Sequence, residues 1–438
     1  MDNRSAIAAI RFGLGRTPGQ PEGNDPQRWL AGQLVATDPG PAAASVTEAF
    51  TALMFDQRAR RETKDAASEA QPRGAADAGQ SRALFRTDGM ALLDHAVTSS
   101  TPFRERLVWF WANHFTVSVR KGQIAPLIPD YVRSAIRPHV TGRFEDMLLA
   151  VMRHPAMLLY LDNAVSAGPN SVFGGRQNRG INENLARECL ELHTVGGGYT
   201  QADVTAFARI LTGWSVERQV NPLGYRFRPG LAEPGEKTLM GRRFPEGEQG
   251  GVLALQMLAR HPATDRHLAT KLVRHFVDDQ PPADAVRRVE AVLRDTGGNL
   301  GAAALELTRL PGAWQPLTKL RTPQEYLVAV FRAAAMPAER RQVLPQVLSG
   351  LGQGMFNAPL PNGWVDSASE WSGPEALLRR VDWAYGFASR PELPEPMDLA
   401  EAALGPLLSA STATEIRRAG SRRDAITLLL ASPELQRR

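Results

Sequence analysis

One stretch constrains the fold more than any other. Residues 181–214, INENLARECLELHTVGGGYTQADVTAFARILTGW, read as a helix, a glycine break and a second helix. Asn182 is suited to cap the first, because its side-chain oxygen can accept from a free N–H of the first turn. The helix runs from Glu183 to about His193 and stops at Gly196, Gly197 and Gly198, which tolerate left-handed dihedrals. Thr200 or Gln201 opens the second helix, with Asp203 in its first turn. At helical periodicity Asn184, Arg187, Glu188 and Glu191 share one arc. Leu185, Ala186, Cys189, Leu190, Leu192 and His193 share the other. The polar arc has two readings. One is a solvated face laced by i,i+4 pairs such as Arg187 with Glu191. The other is a carboxylate pair facing a cleft, framed by the Asn-, Ser- and Gly-rich residues 160–180.

The same helical spacing recurs elsewhere and implies an all-α fold, a multi-helix array. After Thr101-Pro102, which suits a cap and first position, Phe103, Leu107, Phe110, Trp111 and His114 recur at three-to-four spacing, so this helix is expected to be central. His114 is read either as a hydrogen-bonded core histidine or as a site residue. Further on, His267, Lys271 and His275 fall at i, i+4 and i+8. Such a stripe either lines a cleft with positive charge or snorkels on the surface, and the surface reading is preferred. Residues 215–250, rich in Gly, Pro and Arg, are expected to form a small irregular or β-hairpin insert. The organisation expected is N-terminal helices at 1–60 and a disordered insert at 61–80, followed by a central helical core at 81–214 with the candidate site. After the insert at 215–250 comes a C-terminal helical region at 251–438, continuous with the core or separate from it.

Composition narrows the function classes. The 438 residues carry a formal charge of +5, but the basic residues are nearly all arginine. The lysines are Lys64, Lys121, Lys237, Lys271 and Lys319. No dense basic block marks a nucleic-acid surface. Cys189 is the single cysteine, which excludes an internal disulfide, and its place on the apolar arc suits a buried small hydrophobe. No run of apolar residues is long enough to span a membrane. MDNRSAIAAIRFGLGRTPG lacks the apolar core of a signal peptide, so the sequence as it stands implies the cytoplasm. There is no GxGxxG after a strand, no P-loop, no HExxH and no G-x-S-x-G, so no cofactor is identified.

The motifs RFGLGRTPG, FWANHFTVS, HPAMLLYLDNAVSAGPNS, NENLARECLELHT, GGYTQADV, LTGW, HPATDRHLATKLVRHFV and PNGW, in that order over nearly the whole chain, resemble the bacterial family DUF1800, a domain of unknown function. The resemblance implies an all-helical fold and no defined activity. Relatives are often exported and often encoded beside a phosphatase/sulfatase-like companion protein. The chain departs from the family in lacking an export signal, in a shorter HTVGGGY turn, and in having Ala232 where relatives often have histidine.

Three functions are compatible with these residues. The first is a carboxylate-based hydrolase or lyase on a polar substrate, for which a saccharide is one candidate. Glu188 and Glu191 would be acid and base, Asn184 and Arg187 would orient the substrate, and His114 or His154 would shuttle protons. Asp162, Asn163 and Asn170 would line the facing wall, and Trp364 and Trp371 would stack on a ring unless they plug the core. The second is a metal site drawn from His114, His154, Glu188, Glu191 and Asp162, although no pair has diagnostic spacing. The third is a non-catalytic helical scaffold or binding partner of the companion protein.

Overall fold

The computed structural model describes residues 3–19, 25–67, 79–177 and 180–438. The expected insert at 61–80 falls partly on the helix Val46–Ala67, and its residues 68–78 lie outside the described residues. The site depends on seven of the helices. They are α1 (Gln80–Thr98), α2 (Pro102–His114), α3 (Asn184–Glu188), α4 (Gln201–Ile210), α5 (Pro262–Phe276), α6 (Pro323–Ala333) and α7 (Pro374–Phe387). The insert after Trp214 resolves into two antiparallel hairpins. In the first, β1 (Trp214–Glu217) pairs with β2 (Gly224–Phe227), Trp214 opposite Phe227. In the second, β3 (Lys237–Leu239) pairs with β4 (Arg242–Phe244). The chain is therefore mostly helical with two small hairpins. Among the described residues, no helix is long and apolar enough to cross a membrane.

The apolar side chains form two cores. The first gathers Phe103, Leu107, Phe110 and Trp111 of α2 with Leu268, Leu272 and Phe276 of α5, and includes Leu185 and Cys189. The second gathers Tyr326, Val330 and Phe331 of α6 with Phe387 of α7 and Leu429. Helix α1 serves both, giving Leu92 to the first and Leu93 to the second. The central placement expected for α2 holds, since Phe103 and Leu107 are fully enclosed. Pro102 takes the first helical position, but Thr101 does not cap. Its hydroxyl donates instead to Asp38 Oδ2 at 2.7 Å.

In 181–214 the glycine break and second helix are as expected. Thr200 and Asp203 form a reciprocal capping box on α4, and Asn182 Oδ1 accepts from Asn184 N at 2.9 Å. The first helix is not α-helical throughout, because Cys189–His193 is a π turn. A π turn is wider than an α turn, so side chains beyond Glu188 drift from the wheel positions. Arg187 consequently pairs with Glu183 at 3.1 Å and with Gln201 at 2.9 Å, rather than with Glu191. Gly196, at φ +71°, lets the turn close over α5, since a Cβ there would meet His267 Nδ1 at 2.5 Å.

Candidate functional site

On the polar arc of α3 and the π turn after it, Glu188 is half-buried and Glu191 and Asn184 are exposed. Burial, then the charge of Glu191, pushes the Glu188 carboxyl above its usual range. Glu191 accepts from the Tyr199 hydroxyl at 3.3 Å. The residues expected opposite each have protein partners. Asp162 pairs with Lys121. Asn163 is enclosed and donates to the carbonyl oxygens of Leu211 and Trp214. Asn170 grips Glu233 through its backbone N–H and Nδ2. Trp371 is buried and donates its Nε1–H to Val365 O at 3.0 Å, so it plugs the core beneath its loop.

A cavity of about 480 Å³ opens where the two cores meet, walled by α1, α2, α5 and the start of α6. Its roof is the 353–367 loop, which carries Trp364. Of the residues expected at a site, it brings together His114 and Trp364. Its polar wall also includes Lys271, Arg274 and His275 of α5 and Asp366. The α5 stripe therefore does not snorkel. Lys271 and His275 face the cavity, and His267 packs inward with Nε2 at 3.0 Å from Leu192 O. The surface reading failed because i+4 spacing says which residues share a face, not what that face meets.

His114 and His267 share a structural task. The π turn ends with carbonyl oxygens that lack helical donors. His114 Nε2 lies 3.2 Å from His193 O, so two rings from two helices close that end. Burial, then Lys271, holds His114 well below the usual histidine range. Burial, then the same lysine, lowers His193 to about 3. These rings are neutral, and His114 Nδ1 has no partner among the described residues.

The charges on the cavity wall do not balance. Every carboxylate there is paired. Glu105 takes a two-point contact from Arg137, at 2.6 and 3.0 Å. Glu325 is held by Arg106 and Arg438. Asp366 accepts from His275 Nδ1 at 2.6 Å and meets Arg438 and Lys319 on its other oxygen. Burial alone would raise the Asp366 carboxyl, but His275, Arg438 and Lys319 hold it well below its usual range. His275 is lowered by burial to about 4 against the pull of Asp366, so the pair is a carboxylate and a neutral imidazole. Lys271 and Arg274, by contrast, make no hydrogen bond or ion pair among the described residues. Burial pushes the Lys271 amine down to about 8, opposed by Asp366 and aided by Arg274. The sequence offered one overlooked signal. In a chain that uses arginine almost everywhere, Lys271 and Lys319 are both set in this region, and lysine is the cation that can shed its proton.

The loop is fixed by a two-point amide contact. Asn113 Nδ2 donates to Trp364 O at 2.9 Å, and Trp364 N donates to Asn113 Oδ1 at 2.8 Å. Gly363 makes that approach feasible. It sits at φ +78°, and a Cβ would lie 2.5 Å from Asn113 O. Gly363→Ala is expected to destabilise by about 1–3 kcal/mol through backbone strain alone. The contact should part as well, changing the Trp364 emission spectrum. An unchanged spectrum and melting temperature would show that the loop tolerates the methyl group.

The residues suggested for a metal site do not come together. His154 pairs with Asp130 at 3.2 Å, while Asp162 pairs with Lys121. Among the described residues, Asp38, His95 and Glu105 form the group with ligand atoms within 4.8 Å of one another. Arg137 already stands there, 2.6 Å from Glu105 and 3.9 Å from Asp38. Burial would lower His95, yet its bond to Asp38 and the charge of Glu105 raise it. The Arg137 guanidinium and the His95 ring thus already engage these carboxylates.

A family model described as Protein of unknown function (DUF1800) matches residues 7–437, and the chain belongs to that family. No curated protein and no solved structure matches the chain.

Proposed function

We propose that this DUF1800 member is an enzyme of the lyase or hydrolase type that works on an anionic small molecule in the cavity, with the Lys271 amine as reacting group. The observation that carries this reading is the charge imbalance. Two cations lack partners on a wall whose carboxylates are all paired. An unpaired buried charge is costly and is found where a ligand completes it. The remaining wall mixes aromatic residues, Trp109, Phe110, Phe356 and Trp364, with uncharged polar ones such as Asn113, Gln324 and Gln353, so the ligand carries an apolar or ring portion beside its anionic group. A panel of carboxylates, phosphates and sulfates, each with a neutral analogue, tests this by thermal unfolding. An anion at a hundred times its Kd should stabilise by about 2.7 kcal/mol. Lys271→Met should abolish that gain and Arg274→Met should cut it to about 1.4 kcal/mol, the tenfold loss of one charged contact. No stabilisation by any anion would sink the proposal.

A second reading keeps the carboxylate pair Glu188 and Glu191, at the end of α3 and in the π turn after it, with a saccharide as substrate. The raised Glu188 carboxyl beside Glu191 favours it. Asn184 and Arg187 would then contribute to binding, while Asp162, Asn163 and Asn170, already engaged by protein partners, would hold the neighbouring wall in place, and no metal is invoked. Glu188→Gln and Glu191→Gln should abolish turnover in a glycan screen and shift stability by under about 0.5 kcal/mol, as surface substitutions do. Turnover surviving both substitutions removes this reading. The scaffold role toward a phosphatase/sulfatase-like companion rests on an exposed apolar row on α7, Leu378, Val381 and Tyr385. Co-purification with that companion that survives charge substitutions on the row would exclude this surface as its seat.

A further inference from the structure

We propose that Lys271 forms an imine with the carbonyl group of an α-keto acid whose carboxylate is held by Arg274. This rests on the cavity being the reaction site and names the substrate class it takes. Lys271 and Arg274 stand three residues apart on α5, which places them on one helix face, and both line the cavity. Neither has a hydrogen-bonding or ion-pairing partner among the described residues.

The two cations are not equivalent. Arginine keeps its charge at all working pH values and fits a planar carboxylate with paired donors. Lysine is a nucleophile once it loses its proton. Burial prepares it for that, since an amine with a pKa of about 8 is roughly a tenth free base at neutral pH. A ligand answering both groups carries an anion close to an electrophilic carbon, as an α-keto acid does. The aromatic wall at Phe110, Phe356 and Trp364 suits an aryl or alkyl substituent on that acid.

The step balances without any other reactant. The Nζ lone pair attacks the carbonyl carbon and a C–N bond forms while the C–O π bond breaks. A proton passes from nitrogen to oxygen, giving the carbinolamine. The nitrogen then loses its second proton, the C–O bond breaks, and the oxygen leaves as water with both protons. The C=N bond that results, once protonated, withdraws electrons from the adjacent carbon, which is the basis of carbon–carbon bond cleavage in a lyase. No oxidant or reductant enters.

The test is reductive trapping on the full chain. The protein is incubated with phenylpyruvate and borohydride, and in parallel with phenylacetone, which lacks the carboxylate. Intact mass and peptide mapping read the product. The expected result is one reduced adduct per chain from phenylpyruvate, mapped to Lys271 and absent in Lys271→Met. Arg274→Met should slow trapping of phenylpyruvate roughly tenfold, the loss of one charged contact, and slow that of phenylacetone distinctly less, because Arg274 also helps lower the Lys271 amine. An adduct confined to Lys64, Lys121, Lys237 or Lys319, or no adduct at all, overturns the imine. Equal trapping in Arg274→Met overturns the carboxylate anchor. If anions still stabilise the protein through Lys271 while no adduct forms, the imine fails and the cavity assignment stands. If neither is seen, both fail.

Discussion

Glu325→Gln is expected to destabilise the protein by about 3–5 kcal/mol at neutral pH, the usual cost of removing one partner from a buried ion pair. Glu325 is almost wholly enclosed and has three partners. Arg106 binds one carboxylate oxygen, and Arg438 Nε binds the other at 2.8 Å. Thr322 N also donates to the second oxygen, at 2.9 Å, completing the cap of α6. The amide preserves shape but turns an NH2 toward one guanidinium, leaving donors facing donors, Arg106 without its ion-pair partner and Arg438 with Asp366 alone. Burial alone would raise the Glu325 carboxyl, but Arg438 and Arg106 lower it from 4.5 to about 2. A depressed carboxyl contributes stability above its unfolded pKa and loses it as pH falls through the folded one. The difference between wild type and variant should therefore be full above pH 4.5 and shrink toward pH 2. Urea denaturation at several pH values measures it. A loss under about 1 kcal/mol at pH 7 would mean that water or a rearranged side chain replaces the carboxylate.

How much of this was legible before folding differs from residue to residue. The burial of α2 followed from its aromatic spacing, since no surface helix repeats Phe103, Leu107, Phe110 and Trp111 on one side. The break at Gly196 and the cap at Thr200 are local events, set by residues within one turn, and local events are the readable ones. The cavity is not local. Lys271 and Asp366 come from segments far apart in sequence, and the roof at Trp364 is placed by one asparagine of α2. Periodicity put Lys271 on a face with His267 and His275, yet whether that face meets water or a cavity depends on residues of α1, α2 and the 353–367 loop, far away in sequence. The wheel drawn over α3 erred for a different reason. A π turn at Cys189–His193 leaves no mark in apolar spacing over so few residues, so the Arg187–Glu191 pair it implied is replaced by Arg187–Glu183.

Lys271→Met is expected to stabilise the protein at pH 7 while removing its response to anions. The wild type carries an amine whose pKa falls from 10.5 to about 8 on folding. Each unit corresponds to 1.36 kcal/mol, so holding the protonated amine in the folded state costs up to about 3 kcal/mol at neutral pH. Between pH 8 and 10.5 the unfolded chain binds more protons than the folded one. Wild-type stability must rise with pH across that window, by up to about 1.4 kcal/mol per unit, and the variant lacks that rise. Methionine matches the length of the lysine stem and packs against the same apolar wall. The advantage of Lys271→Met should therefore be largest below pH 8 and fade toward pH 10.5. Arginine is the informative contrast, because it cannot shed its proton, so Lys271→Arg should gain nothing at either end. Urea midpoints for the three proteins across that range decide the matter. A Lys271→Met protein less stable than wild type at pH 7 would show that the amine serves a structural ion pair. A more stable variant that no longer responds to anions is the pattern of a site where stability is given up for function, because a structural lysine would not be missed by a ligand.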